Sequence, residues 1–331
     1  MAGDEAVGQA GHAGPFPGEP TGAAGVSRRG RGAGLNPAPR FGAHDTAAVD
    51  DGWQLEAEPE SLGTEVRPEA ARTIISRNES PDIPFTQSIN PYRGCEHGCI
   101  YCYARPAHAY VDLSPGLDFE TKLFYKADAA RLLRAELAAP RYQCSAITLG
   151  ANTDPYQPIE KRLRVTRELL ELLSATGHPL TIITKGTLVL RDLDLLVSLA
   201  QRQLTRVWIS LTSLDAGLKR TLEPRAAAPA ARLKAMRVLS EAGVPVGVMT
   251  APMIPAINDA ELERLLEAAA RSGATRAGYV LLRLPREVAP LFRDWLDRHY
   301  PERAAHVMSL VQQARGGRDN DPRFGNRMRG E

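Results

Sequence analysis

At 331 residues, 43% of them hydrophobic, the chain has enough apolar surface for one large domain or two modest ones. Its formal net charge of +2 demands no polyanionic partner, and four cysteines are too few to form a disulfide framework at this length. No run approaches the roughly 18 consecutive apolar residues of a membrane span, and the N-terminus, broken by Gly and Pro, lacks the apolar core of a signal peptide. A cytoplasmic protein with no membrane partner is expected.

Residues 1–65 are mostly Gly, Ala and Pro with scattered charge and no period of 2 or 3.6, which predicts a disordered tail. Arg28, Arg29, Arg31 and Arg40 make part of it basic, and Trp53, its one tryptophan, would dock it. Order is expected from about Arg67. Six apolar runs then read as strands: Thr86–Asn90, Ser145–Leu149, Leu180–Thr184, Val207–Leu211, Val244–Met249 and Gly278–Leu282. Amphipathic helices are expected at Ala127–Leu137, Val165–Ser174, Leu193–Ala200, Ala231–Glu241 and Ala260–Ser272, the last two stopped by Gly243 and Gly273. Near-continuous apolar strands alternating with helices predict an α/β fold with a parallel sheet and right-handed crossovers. A partial barrel and a doubly wound sheet both satisfy this pattern, and both place a site at the C-terminal ends of the strands. The core is thus set at 66–285, followed at 286–331 by two helices (Val288–Arg298 and Arg303–Ala314) and an Arg-rich tail read as flexible.

Cys95, Cys99 and Cys102 crowd into eight residues directly after the first strand, with Gly94 and Gly98 permitting a tight loop. Such crowding reads as metal binding in a reducing compartment. A zinc site with His97 or a distant fourth ligand is one reading, although structural zinc usually draws on two paired modules and Cys144 stands alone. An iron–sulfur cluster held by three thiolates, leaving one iron open, is the other.

The loop Cys95-x-x-x-Cys99-x-x-Cys102, with Tyr101 before its last cysteine, resembles the signature of the radical S-adenosylmethionine (SAM) superfamily. Tyr92-Arg93-Gly94-Cys95, Cys102-Tyr103-Ala104-Arg105, the run Thr153 to Glu160, and Leu222-Glu223-Pro224-Arg225 are similar to its spore photoproduct lyase-related branch. The resemblance implies a partial (β/α)6 TIM-like barrel and a [4Fe-4S] cluster on the three cysteines. It also implies SAM chelated at the open iron, reductive cleavage to a 5′-deoxyadenosyl radical, and a reductant such as flavodoxin or ferredoxin.

Strand-end residues then become candidates for SAM: Tyr101, Gly150 and Asn152, Lys185 for its carboxylate, Ser210 and Thr212 for its ribose, and Arg283 for a carboxylate or a substrate anion. Asp154 and Tyr156, in a proline-stiffened polar loop after the second strand, are the catalytic candidates. Leu222-Glu223-Pro224-Arg225 reads equally well as a salt-bridged turn. A DNA-lesion lyase would need a hydrogen-atom donor. Cys144 begins the second strand, where about five residues at ~3.3 Å each put it on the order of 15 Å from the mouth, leaving Tyr156 or Tyr279 for that role. The rival class is a metal-binding nucleic-acid module acting through the Arg-rich termini; a further one is a cluster-bearing accessory protein without catalysis.

Overall fold

The computed structural model describes residues 28–42 and 63–330; Trp53 and its expected docking role lie outside them. In chain order the elements are β1 (Glu65–Pro68), β2 (Ile75–Arg77), β3 (Gln87–Ile89), β4 (Tyr92–Arg93), α1 (Asp118–Thr121), β5 (Lys122–Tyr125), α2 (Ala129–Leu137) and β6 (Ile147–Leu149). There follow α3 (Glu160–Leu163), α4 (Val165–Ala175), β7 (Leu180–Thr184), α5 (Leu193–Gln201), β8 (Thr205–Ser210), α6 (Ala216–Leu222) and α7 (Pro229–Glu241). The last are β9 (Val246–Met253), α8 (Leu262–Arg271), β10 (Ala274–Leu281), α9 (Val288–His299) and α10 (Ala304–Gln313). None of these helices is long and apolar enough to cross a membrane.

The main sheet runs β10-β9-β8-β7-β6-β3-β2. Its six parallel strands follow one another in sequence order, with no point at which the order reverses. A doubly wound sheet needs such a reversal, so the architecture is the partial (β/α)6 barrel. Only β2, at one edge, is antiparallel. The strands are less uniformly buried than a sheet covered on both sides would require. Leu180, Ile182 and Thr184 of β7 are buried against helices, whereas Thr181 and Ile183 face a half-open lumen. Strand β10 is largely exposed.

Two cores result. The larger packs Leu133 of α2, Leu169 and Leu173 of α4, Leu196 of α5, Met236 of α7 and Leu265 of α8 onto the outer faces of the strands. Each such side chain contributes roughly 1.5–3 kcal/mol on burial. The smaller core joins Phe292 and Trp295 of α9 to Ile100, Tyr101 and Leu222, so the C-terminal helices support the cysteine loop from outside the barrel.

Two stretches read as disordered or flexible are held in place. Residues 28–42 cross the back of the cysteine loop. There Gly32 and Ala33 donate backbone N–H to the Glu120 carboxylate, both at 2.9 Å, and Arg31 donates to the Glu120 carbonyl at 2.8 Å. A Cβ on Gly32 would lie 1.9 Å from the Gly98 carbonyl oxygen, so only glycine permits this approach. Beyond α10, the Arg315 guanidinium donates to the Leu281 and Leu282 carbonyls, Leu281 N–H donates to Met328 O at 3.0 Å, and Arg327 pairs with Asp82. Backbone and ion-pair contacts, rather than an apolar period, fix both stretches.

Candidate active site

Strand β3 delivers the chain into the cysteine loop, and β4 with the small sheet β1-β5-β4 backs it. Gly94 (φ 75°) and Gly98 (φ 65°) adopt left-handed backbone. A Cβ on either would also collide, with Leu123 Cδ2 at 2.5 Å or Glu120 Oε2 at 2.7 Å. Cys95 and Cys99 are buried, Cys102 is half-buried, and all three are free thiols.

Neighbouring segments clamp the loop. Cys95 N–H donates to Phe119 O at 2.9 Å, Ile100 N–H to Leu222 O at 3.1 Å, and Arg225 N–H to His97 O at 3.2 Å. The Gln157 side chain accepts from Glu96 N–H (2.9 Å) and donates to Gly94 O (3.2 Å). Fully buried Arg105 donates to Cys99 O at 3.0 Å and pairs with Glu120 at 2.5 Å. The run Thr153 to Glu160 is therefore scaffold for the loop. Thr153 donates to Tyr92 O, and Glu160 accepts from the Tyr92 hydroxyl and from Arg191.

Asp154 belongs to the same bracing. It accepts from Thr184 Oγ1 and Lys185 N–H, both at 2.6 Å, and lies 3.3 Å from His97 Nδ1. Burial works to raise its pKa, but the His97 charge and these hydrogen bonds outweigh it and hold the carboxyl at about 2. Tyr156 does not reach the mouth. Its hydroxyl donates to Asp192 at 3.0 Å within a buried network, so the hydrogen-atom or catalytic role expected for it has no geometric basis. Tyr279 pairs with Thr250 on the helix-facing side of the sheet, and likewise does not point into the lumen.

At the strand ends the structure assembles a buried charge array. Asp215 caps α6 by accepting from Gly217 and Leu218 N–H, and the helix ends by presenting Glu223 inward. The Glu223 carboxylate accepts from Tyr101, from Thr212 at 2.8 Å and from Arg232, which also donates to Ser210 O at 2.9 Å. Burial would raise the Glu223 pKa; the Arg232 and Lys185 charges prevail and hold it at about 2. Lys185 Nζ stands 5.8 Å from the Tyr101 ring. Burial opposes its charge, yet Cys99 and Glu223 together raise its pKa. No carboxylate lies within ion-pair distance of Lys185 or Arg283 among the described residues, and Arg283 instead lies 4.3 Å over the Tyr103 ring. Thr212, expected at the SAM ribose, spends its hydroxyl on Glu223, and Ser210 is buried beside it. Asn152 is exposed, its N–H held by Asn90 Oδ1 at 2.8 Å. Gly150 (φ 90°) abuts Ile183 O, where a Cβ would come within 2.2 Å. Glu223 was the ambiguous turn residue of the sequence, and its neighbouring Pro224-Arg225 was the signal that marked the segment.

The donor set fits a three-thiolate cluster. Cys95, Cys99 and Cys102 share one loop braced from all sides, and no second Cys/His module of the kind structural zinc draws on stands beside it among the described residues. His97 is engaged by Asp154. Burial, then neighbouring negative charge, pushes the Cys95 thiol well up and the Cys99 thiol up to about 12. Thiolates there need a cationic partner, and three Cys on separate irons of a cluster have one.

Residues 89–269 match the Radical SAM superfamily. An uncharacterised protein of Mycobacterium tuberculosis is 39% identical over 233 residues, covering 70% of this chain and 68% of that protein. One of Methanocaldococcus jannaschii is 27% identical over 232 residues, covering 70% and 82%. Among solved structures, a spore photoproduct lyase variant superposes with a TM-score of 0.52 at 18% identity, over 72% of this chain and 66% of that one. The chain thus spans just under two thirds of that lyase's length, and at this identity the likeness is one of fold. The same lyase has been solved with AdoMet and dinucleoside spore photoproduct bound. A match across more than half the chain, taking in the cysteine loop and the strands β6 to β9 whose ends surround it, places this protein in the radical SAM superfamily of enzymes.

Proposed function

We propose that Cys95, Cys99 and Cys102 hold a [4Fe-4S] cluster and that SAM lies beside it across the strand ends, next to Lys185. Held there and reduced by an external donor, such a cluster would supply one electron for cleavage of SAM to methionine and a 5′-deoxyadenosyl radical, and that radical would take a hydrogen atom from the substrate. The observation that supports this best is the Lys185 ammonium, 5.8 Å from the Tyr101 ring, which has no carboxylate at ion-pair distance among the described residues while Cys99 and Glu223 favour its charge from further off. It offers a charge-assisted donor to the SAM carboxylate. Gly150 lets the turn after β6 pack closely on Ile183 of β7, and Tyr101, fixed by Glu223, walls the site. A ferredoxin or flavodoxin is the expected reductant.

Anaerobic reconstitution followed by dithionite and SAM is expected to release 5′-deoxyadenosine from the wild type and none from Cys99→Ala. A colourless wild-type protein releasing no nucleoside would overturn the reading. Lys185→Met is expected to keep its cluster, measured as bound iron, while the SAM Kd rises about tenfold to a hundredfold. That is the weight of a charge-assisted hydrogen bond of roughly 1.5–3 kcal/mol; an unchanged Kd would remove Lys185 from the site.

A lesion lyase is the second reading, supported by the fold shared with a lyase solved with a dinucleoside photoproduct. Against it, Cys144 is exposed and precedes β6 at the end of the sheet remote from the loop. The nucleic-acid module is weakened because Arg31, Arg40 and Arg327 of the basic termini are engaged with Thr64, Glu287 and Asp82.

A further inference from the structure

The register of the six parallel strands identifies every lumen-facing position. Val207 and Ile209 pack on helices, so Arg206, Trp208 and Ser210 of β8 face inward, as do Gly247 and Met249 of β9 and their partners Arg276 and Gly278 of β10. Two features of this lining are unusual for a small barrel, whose interior is normally filled by side chains.

First, its bulkiest groups are laid flat. A Cβ on Gly247 would lie 2.6–2.8 Å from three atoms of the Trp208 ring, so the indole rests on bare backbone. Met249 likewise lies across Gly278, whose Cβ would meet its Cε at 3.2 Å and Sδ at 3.3 Å. Trp208 stays half-buried on the inward face of the sheet.

Second, the charge there has one sign. None of the six strands carries an acidic residue. The inward charges on the strands are Arg206 and, on the exposed edge strand, Arg276; just beyond the strand ends Lys185 and Arg283 share the mouth with the carboxylates of Asp154 and Glu223. Arg206 Nε is buried and without a hydrogen-bond partner. An unpaired buried donor of this kind costs stability unless a ligand satisfies it.

We propose that the lumen takes a substrate carrying a flat aromatic or heteroaromatic ring and an anionic group, the ring stacking on Trp208 and the anion meeting Arg206 and Arg276. This rests on the radical SAM reading of the mouth above it. Trp208 pairs with Ile183, two residues before Lys185, so the slot lies directly below the place assigned to SAM.

The test is anaerobic calorimetry on the reconstituted protein, saturated with SAM and without reductant. The probes are the four deoxynucleoside 5′-monophosphates, the dinucleotide pTpT and benzoate, against thymidine (ring only) and pyrophosphate (anion only). At least one ring-bearing anion is expected to bind about tenfold more tightly than either partial probe. Trp208→Ala is expected to lose that advantage and Trp208→Phe to keep most of it, both with wild-type SAM affinity. The double variant Arg206→Gln, Arg276→Gln is expected to bind the anion no better than thymidine. If no ring-bearing anion outbinds thymidine and pyrophosphate, or if Trp208→Ala binds it as well as wild type, the proposal is overturned. Loss of SAM affinity in Trp208→Ala also overturns it, because the indole would then serve the cofactor. Failure of 5′-deoxyadenosine release in the separate turnover assay would instead sink the radical SAM reading.

Discussion

Glu223→Leu is expected to destabilise the fold by about 3–5 kcal/mol and to abolish 5′-deoxyadenosine release. The carboxylate is 1% exposed and is the common acceptor for Tyr101, Thr212 and Arg232. Removing one member of a buried ion pair leaves the other charge uncompensated, and that is the costly direction. Here two cations lose their counter-charge, because Lys185 leans on the same group. Glu223→Gln separates charge from shape, since it keeps an acceptor for the hydroxyls. Its pH dependence carries a definite sign. The folded carboxyl sits at about 2, below an unfolded value of ~4.3. The group's contribution, about 3 kcal/mol, is present in full above the unfolded value and is lost as pH falls through the folded one. Urea denaturation of wild type and Glu223→Gln across pH 2–7 is expected to show a gap that closes only on the acid side. A pH-independent gap would mean that the charge is not what matters.

The second large effect is expected at Gly32→Val. A Cβ there would sit 1.9 Å from the Gly98 carbonyl oxygen, so the segment 28–42 must lift from the loop. Lifting removes two N–H donors from the Glu120 carboxylate, which is fully buried and is also paired with Arg105. Each lost hydrogen bond to a charged group costs roughly 1.5–3 kcal/mol, so about 3–6 kcal/mol is expected in total. The loop behind Cys99 opens at the same time. Thermal denaturation, together with bleaching of the reconstituted chromophore in air, checks both consequences: Tm should drop and bleaching should accelerate. Wild-type values for both would show that the segment is only decoration.

What the sequence made legible follows from local physics. Strand β7 was read to its terminal residues because an apolar run between a helix stop and a polar turn has one interpretation. The choice between barrel and doubly wound sheet was not legible, because it resides in strand order. The short strands β1, β2, β4 and β5 span only two to four residues each and carry no period. Residues 28–42 were misread because their hold is glycine close approach and ion pairing, which composition does not reveal. Tyr156 looked like a mouth residue since its loop is polar, yet its partner Asp192 lies 36 positions away and draws it inward. Glu223 was ambiguous for the converse reason: its partners come from α7, the cysteine loop and the residues after β8. The three cysteines were plain from the start, because their spacing is itself the chemistry.

The segment behind the cysteine loop is made early and seated late. Arg31 waits for Glu120, 89 positions downstream, and Arg40 waits for Glu287, at the threshold of α9. During synthesis the rear of the loop therefore stays uncovered until Glu120 has left the ribosome, and the far end of the segment is pinned only once nearly the whole barrel has followed. Through that interval Cys95, Cys99 and Cys102 are open from a side that the folded chain keeps shut.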